Sequence, residues 1–366
     1  MSLTSHLKST TSPIGQFIRQ RFAHTARLTK VANAQLREKS TIHPILADMP
    51  YPYGTVGMAI DYRIRYAFAI TPYRQLAAWK GAMCLNPKIR EVNDDIPENQ
   101  IEHAARPNQH IESTQKSSFL KRFRAFLKGG SKLQQKEEGQ WPYSAQLLLA
   151  FFDNLDRIMD AIQPAGRCID EEEAELTLAR YCYLLALFEE AYRSSGYLFG
   201  PLMDPEPKRT LEELLAIPKD DWLDDICFMF ARFYNNYAYL LAHPHLLNPE
   251  FQGSKDVGNA DADLIVDGCL IDIKASIAPK IEPKYLRQLA GYLLLDYNDA
   301  LHIESVGIYM ARQGMLLTWD VLEFLRQLTG DEGVLLASLR QEFRTVCQDY
   351  NNQSMQRREQ FRKHLK

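Results

Sequence analysis

Residues 261–274, reading Asp-Ala-Asp-Leu-Ile-Val-Asp-Gly-Cys-Leu-Ile-Asp-Ile-Lys, constrain this chain more than any other segment. Two runs rich in β-branched residues flank Asp267-Gly268, and Asp-Gly between such runs is the strongest short-range signal for a two-residue hairpin. That turn fixes the register: Val266 opposite Cys269, Leu264 opposite Ile271, Asp263 opposite Asp272. Opposed residues share a face, with Cβ atoms about 5 Å apart. Lys274 lies two residues beyond Asp272 and so shares that face. Leu264, Val266, Cys269, Ile271 and Ile273 fall on the other face, which the alternation predicts to be the core side.

The hairpin therefore sets two carboxylates side by side with an ammonium next to them. Like charges directly opposite one another destabilise a sheet unless something compensates. A divalent cation is the natural compensator, because Mg²⁺ takes one or two carboxylates and keeps several waters. Mg²⁺, or Mn²⁺ in its place, would polarise a phosphodiester and activate an attacking water, with Lys274 orienting that water or stabilising developing charge. The competing expectation is an acidic hairpin whose charges simply face solvent.

Downstream, Pro283 opens a predicted helix running to Asp296, with Gln288 and Tyr292 four apart on one face. Strands are predicted at 305–311 and 315–319, joined by Arg312-Gln313-Gly314. Upstream, residues 244–260 carry no strand pattern, and His243 and His245 flank Pro244 as incidental loop histidines or a metal ligand. Helices are expected at 14–39, 56–68, 144–162, 170–195 and 221–242. Asp61 and Arg65 are spaced to pair across one turn. The aromatic stripe of the last helix, from Phe228 to Tyr239, is expected in the core.

The motif Asp263…Asp272-Ile273-Lys274, followed by Gln288-x-x-x-Tyr292, resembles the PD-(D/E)XK nuclease superfamily, closest to its RecB-like branch. The resemblance spans residues 170–320. It implies an α/β (α+β) fold, a restriction-endonuclease-like mixed sheet flanked by helices, here with a large, mostly helical N-terminal region. By the resemblance, Asp263 and Asp272 hold the metal, Mg²⁺ or Mn²⁺, and Lys274 is the catalytic lysine. Gln288, also placed with the catalytic set, and Tyr292 support the site or contact the DNA backbone. The superfamily uses a further acid on the helix before its sheet. Glu189 and Glu190 are the candidates, and helix phase does not choose between them.

The implied activity is metal-dependent hydrolysis of DNA in a bacterial or phage defence or repair context. The alternative is a catalytically silent nuclease-fold module for nucleic-acid binding or assembly, and a third reading is a helical scaffold. DNA is the expected partner, with RNA, protein partners and a homo-oligomer left open. No apolar run approaches the ~20 residues of a membrane span, so no membrane is expected. The six cysteines form no CxxC pair, which suits reduced thiols in a cytoplasm. No GxxxxGK[ST] loop, GxSxG elbow, HExxH helix or GxGxxG turn occurs.

Charge is distributed unevenly. The total is -3, yet residues 1–40 carry seven Lys/Arg against one acid, 113–136 carry seven against none, and 339–366 seven against three. Such stretches suit a polyanion or are merely solvated. Four regions follow: a helical N-terminal region at 1–92, a flexible basic and polar insertion at 93–141, a nuclease-like domain at 142–330, and a C-terminal basic helix at 331–366.

Overall fold

The computed structural model describes residues 2–44, 51–90, 143–162, 172–194, 200–203 and 209–364. The predicted insertion at 93–141, with its basic island at 119–128, lies outside the described residues. Along the chain come α1 (Leu3–Lys8), α2 (Pro13–Arg21), α3 (Ala26–Arg37), α4 (Tyr53–Phe68) and α5 (Ala77–Leu85). Then follow α6 (Ala145–Ile162), α7 (Glu172–Arg193), α8 (Leu211–Leu215) and α9 (Asp220–Tyr237). Strands β1 (His245–Leu247), β2 (Leu264–Val266) and β3 (Cys269–Lys274) precede α10 (Pro283–Leu295). Strands β4 (Ser305–Met310) and β5 (Met315–Asp320) lead to α11 (Val321–Thr329) and α12 (Leu336–His364).

The protein is mixed α/β, and it divides into two compact units. One joins Met1–Ile42 to Asn236–Lys366 and holds the sheet; the other, His43–Asn235, is helical. These boundaries differ from the linear division read in the sequence. The reason is visible in the core of the sheet unit, where Leu3, Ile14, Ile18 and Phe22 pack with Leu286, Leu289 and Leu293. Each such side chain, fully buried, stabilises by about 1.5–3 kcal/mol, enough to draw the N-terminal helices onto the sheet unit across some two hundred intervening residues.

The sheet has the order β1-β2-β3-β4-β5. All neighbours are antiparallel except β3 and β4, whose parallel pairing is made possible by α10 as the crossover. The hairpin register is the expected one, with Val266 opposite Cys269 and Leu264 opposite Ile271. Asp267 and Gly268 have φ of +48° and +72°, the left-handed pair that a tight hairpin requires.

Several expectations are corrected. The predicted helix at 14–39 is two helices, because between them the His24 amide bonds to the carbonyl of Leu328 and turns the chain. Residues 245–247 form an edge strand, β1, paired antiparallel to β2. In the aromatic stripe, Phe230 and Phe233 are buried but Phe228 and Tyr239 are exposed, so only part of it is core. The predicted core side of the hairpin is buried, but the core is not confined to it. Ile265 and Leu270, on the face of Asp272, belong to the core under α10, as do Val306, Ile308 and Met310 of β4.

Leu264, Val266 and Ile271 on the other face are buried too. The strands are apolar on both sides near the turn and polar only at the far end of one face. The Asp61–Arg65 pair forms as expected within α4.

Candidate active site

The site is built at the end of the hairpin away from its turn. Register alone places Asp272 beside Ile308 and Lys274 beside Met310 on the neighbouring parallel strand. Asp272 is 2% exposed, so the expectation of a solvent-facing acidic hairpin does not hold. Its Oδ2 lies 2.6 Å from Lys274 Nζ. The contact is charge on charge without the directions of a hydrogen bond, leaving a buried carboxylate oxygen with no well-directed donor.

Asp263 stands just outside β2. In a two-residue hairpin the hydrogen-bonded pairs alternate, so after Val266–Cys269 and Leu264–Ile271 the next would be Ala262–Ile273. Instead the Asp263 side chain takes that place: its Oδ2 accepts the Ile273 amide at 2.6 Å. The carboxylate is thereby pinned against the peptide that follows Asp272.

Helix α10 supplies the rest. Its N-terminal approach is held by Asn33, whose Oδ1 accepts the Ile281 amide at 2.6 Å. Lys274 Nζ donates to Gln288 Oε1 at 3.3 Å, and Gln288 Nε2 donates to the Tyr292 hydroxyl at 2.8 Å. Tyr292 is buried and stacks on Phe251 with ring centres 5.4 Å apart. Lys274, Gln288 and Tyr292 thus form one continuous polar line from strand to helix.

Burial is the largest influence on each titratable group here. It pushes the Asp272 carboxyl up, while the adjacent Lys274 ammonium pulls against it. It would lower Lys274, but the charges of Asp272 and Asp263 outweigh it and hold the ammonium above its ordinary value. It raises the Tyr292 hydroxyl well above the usual tyrosine range, with Asp272 and Asp263 adding to the effect. Tyr292 is therefore a neutral hydrogen-bonding group at any ordinary pH.

The turns around the site carry residues that sequence reasoning passed over. Arg312, 1% exposed, donates from Nε to the carbonyl of Ala275 at 2.9 Å. Gln313 Nε2 donates to the carbonyl of Ile277 at 3.1 Å. Read in the sequence as a plain β4–β5 turn, this pair fixes the chain immediately after Lys274. Nothing in the sequence set this turn apart, because the burial of Arg312 is visible only in the fold.

Glu189 and Glu190 belong to the helical unit. Glu189 accepts from the Tyr62 hydroxyl at 2.5 Å and from Arg193 Nε at 2.6 Å. Glu190 accepts from Thr55 Oγ1 at 2.8 Å. Both are engaged by partners in that unit, and neither is brought to the hairpin acids by any of these bonds. His243 and His245 sit at the turn end: His243 Nδ1 is 3.3 Å from Asp267 Oδ2, and His245 Nδ1 lies 2.9 Å from the His243 carbonyl. At about 3.3 Å per residue, the four residues from Gly268 to Asp272 set that end some 13 Å from Asp272.

No protein-family model, curated protein or solved structure matches the chain.

Among the described residues no group of three His, Cys, Asp or Glu side chains gathers into a metal-binding cluster. Two carboxylates remain, one with a buried oxygen lacking a directed donor. That donor set fits an ion of the Mg²⁺ kind, which needs few protein oxygens and retains its waters. Among the described residues no helix is long and apolar enough to cross a membrane. Cys84, Cys182, Cys227, Cys269 and Cys347 form no disulfide, and Cys168 lies outside the described residues.

Proposed function

We propose that this chain is a metal-dependent nuclease that hydrolyses DNA phosphodiester bonds, with a PD-(D/E)XK site of the RecB-like kind on a restriction-endonuclease-like sheet. The observation that carries the reading is the buried Asp272–Lys274 contact, linked through Gln288 to Tyr292 and flanked by the pinned carboxylate of Asp263. A buried ion pair with one poorly directed bond contributes little to stability. Its presence at the end of an otherwise apolar face is better explained by chemistry.

Asp263 and Asp272 would hold the Mg²⁺ or Mn²⁺, which when bound supplies Lewis-acid polarisation of a phosphoryl oxygen and a more acidic water. Lys274 offers a permanent positive charge to the scissile phosphate or the attacking water, and Gln288 fixes the direction of its ammonium. Tyr292, neutral and buried, holds the far side of the Gln288 amide so that its oxygen keeps facing Lys274. The β3–α10–β4 packing keeps water off the inner side of Asp272.

The test is cleavage of end-labelled single- and double-stranded DNA and RNA with Mg²⁺ or Mn²⁺, beside an Asp272→Asn control. Metal-dependent cutting that the control lacks supports the reading, and a folded wild-type protein that cuts none of these substrates removes it. One observation favours the silent nucleic-acid-binding alternative: among the described residues, no third carboxylate joins the two acids. That reading predicts salt-sensitive DNA binding unchanged by Asp272→Asn.

A further inference from the structure

Tyr285 lies one turn before Gln288 and two before Tyr292 on α10, so the three residues occupy one stripe of the helix. Lys274 Nζ is 5.3 Å from the centre of the Tyr285 ring. Lys284 Nζ is 5.1 Å from the same centre, but it is also drawn to Glu282 Oε2 at 2.9 Å. The Lys274 ammonium has three N–H bonds. Asp272 and Gln288 take up two of its sides, at 2.6 and 3.3 Å. The half-buried aromatic ring stands on a further side. Cations within about 6 Å of a ring centre are attracted to its face, an attraction an aliphatic side chain cannot supply.

We propose that Tyr285 is a positioning residue for Lys274, its ring holding the ammonium in line with Asp272 and Gln288. The motif on α10 is then Tyr285-x-x-Gln288-x-x-x-Tyr292, with the first residue acting through the lysine and not on the substrate. Lys284 shares the ring with Lys274, while its own charge is drawn to Glu282 Oε2. The proposal deepens the nuclease reading, since it matters for catalysis only if Lys274 acts there. The contact itself stands or falls without it.

The test uses the full chain without metal or nucleic acid, carrying lysine labelled with ¹³C at the ε position. A proton near an aromatic face is shifted upfield, so the Lys274 ε-methylene signal, assigned by its loss in Lys274→Arg, is expected upfield of the exposed lysines. Tyr285→Phe keeps the shift and Tyr285→Leu abolishes it. Lys284→Met, a change at an exposed position, leaves the shift in place whether or not the leucine variant folds. A wild-type Lys274 signal within the exposed-lysine envelope overturns the proposal, as does a shift that survives in Tyr285→Leu. If the chain cuts DNA, Tyr285→Leu lowers kcat about 3- to 10-fold with KM unchanged, and Tyr285→Phe restores it. A chain that cuts nothing but shows the shift sinks the nuclease reading and keeps the contact.

Discussion

Asp263 accepts the backbone amide of Ile273 at 2.6 Å, standing in for the main-chain carbonyl that a regular hairpin would present there. One side chain therefore has two duties in the proposed site, ending the β2–β3 ladder and offering a carboxylate at the peptide that follows Asp272. The two can be separated by mutation. Asp263→Asn keeps an acceptor for the amide and should leave unfolding stability within about 0.5 kcal/mol. Asp263→Ala leaves the amide without its partner and should cost about 1–3 kcal/mol. Both should abolish metal-dependent cleavage. Urea unfolding beside a cleavage assay reads the two effects, and equal stability loss in both variants would contradict the acceptor role.

The Asp272–Lys274 contact makes a second prediction. Removing one partner of a buried ion pair strands the other, so Lys274→Met should destabilise by about 3 kcal/mol. The double variant Asp272→Asn/Lys274→Met should be more stable than the sum of the single effects by about 2 kcal/mol. A double-mutant cycle from denaturant melts reads the coupling. Additive effects would show that the two charges do not depend on each other.

Low pH should loosen the helix α1 that lies on α10. His6, 1% exposed, has Nδ1 2.7 Å from Ser12 Oγ, and burial lowers its imidazole from 6.5 to about 4. The unfolded chain takes up the proton first, so the stabilisation is full above pH 6.5 and lost as the pH falls toward 4. The expected loss is about 3 kcal/mol. His6→Gln should flatten the stability–pH curve in that window; an unchanged slope would contradict the assignment. Because Leu3 of α1 sits against Gly291 of α10, the acid-loosened state should also release the Gln288–Tyr292 helix to faster amide exchange.

In the helical unit the sign reverses. Burial, then the charges of Asp160 and Asp153, raises the Asp156 carboxyl on α6 to about 6, with Arg74 pulling the other way. The folded state keeps this proton longer than the unfolded chain, so its stabilising effect is present below pH 3.8 and is lost as the pH rises through about 6. Asp156→Asn should therefore stabilise at pH 7 by about 1 kcal/mol, allowing for solvent screening of a half-buried group. No gain is expected at pH 3.5. Thermal melts at the two pH values read the difference, and a gain at both would contradict it.

What the sequence disclosed followed the range of the forces involved. The hairpin was legible because Asp267-Gly268 encodes its own turn, and register then follows from counting. The Gln288–Tyr292 pairing was legible because four residues make one helical turn. Strand β1 was not, since three residues between Pro244 and the left-handed Asn248 carry no periodicity and pair only because β2 is already there. The break between α2 and α3 depends on a carbonyl some three hundred residues away. The second core face was missed because Ile265 and Leu270 share the face of Asp272, where the acids drew the eye away from the apolar residues near the turn. Tyr285 was invisible because an aromatic residue in an amphipathic helix ordinarily signals packing, and only its distance to Lys274 distinguishes it.

The most direct measurement is single-turnover cleavage of labelled DNA in Mn²⁺ by wild type and Lys274→Met, with DNA affinity measured on the same preparations. The account predicts that the variant binds DNA within a few-fold of wild type while cleaving about 100-fold or more slowly. Equal cleavage by the two proteins, or none by either when both are folded and bound, would contradict it.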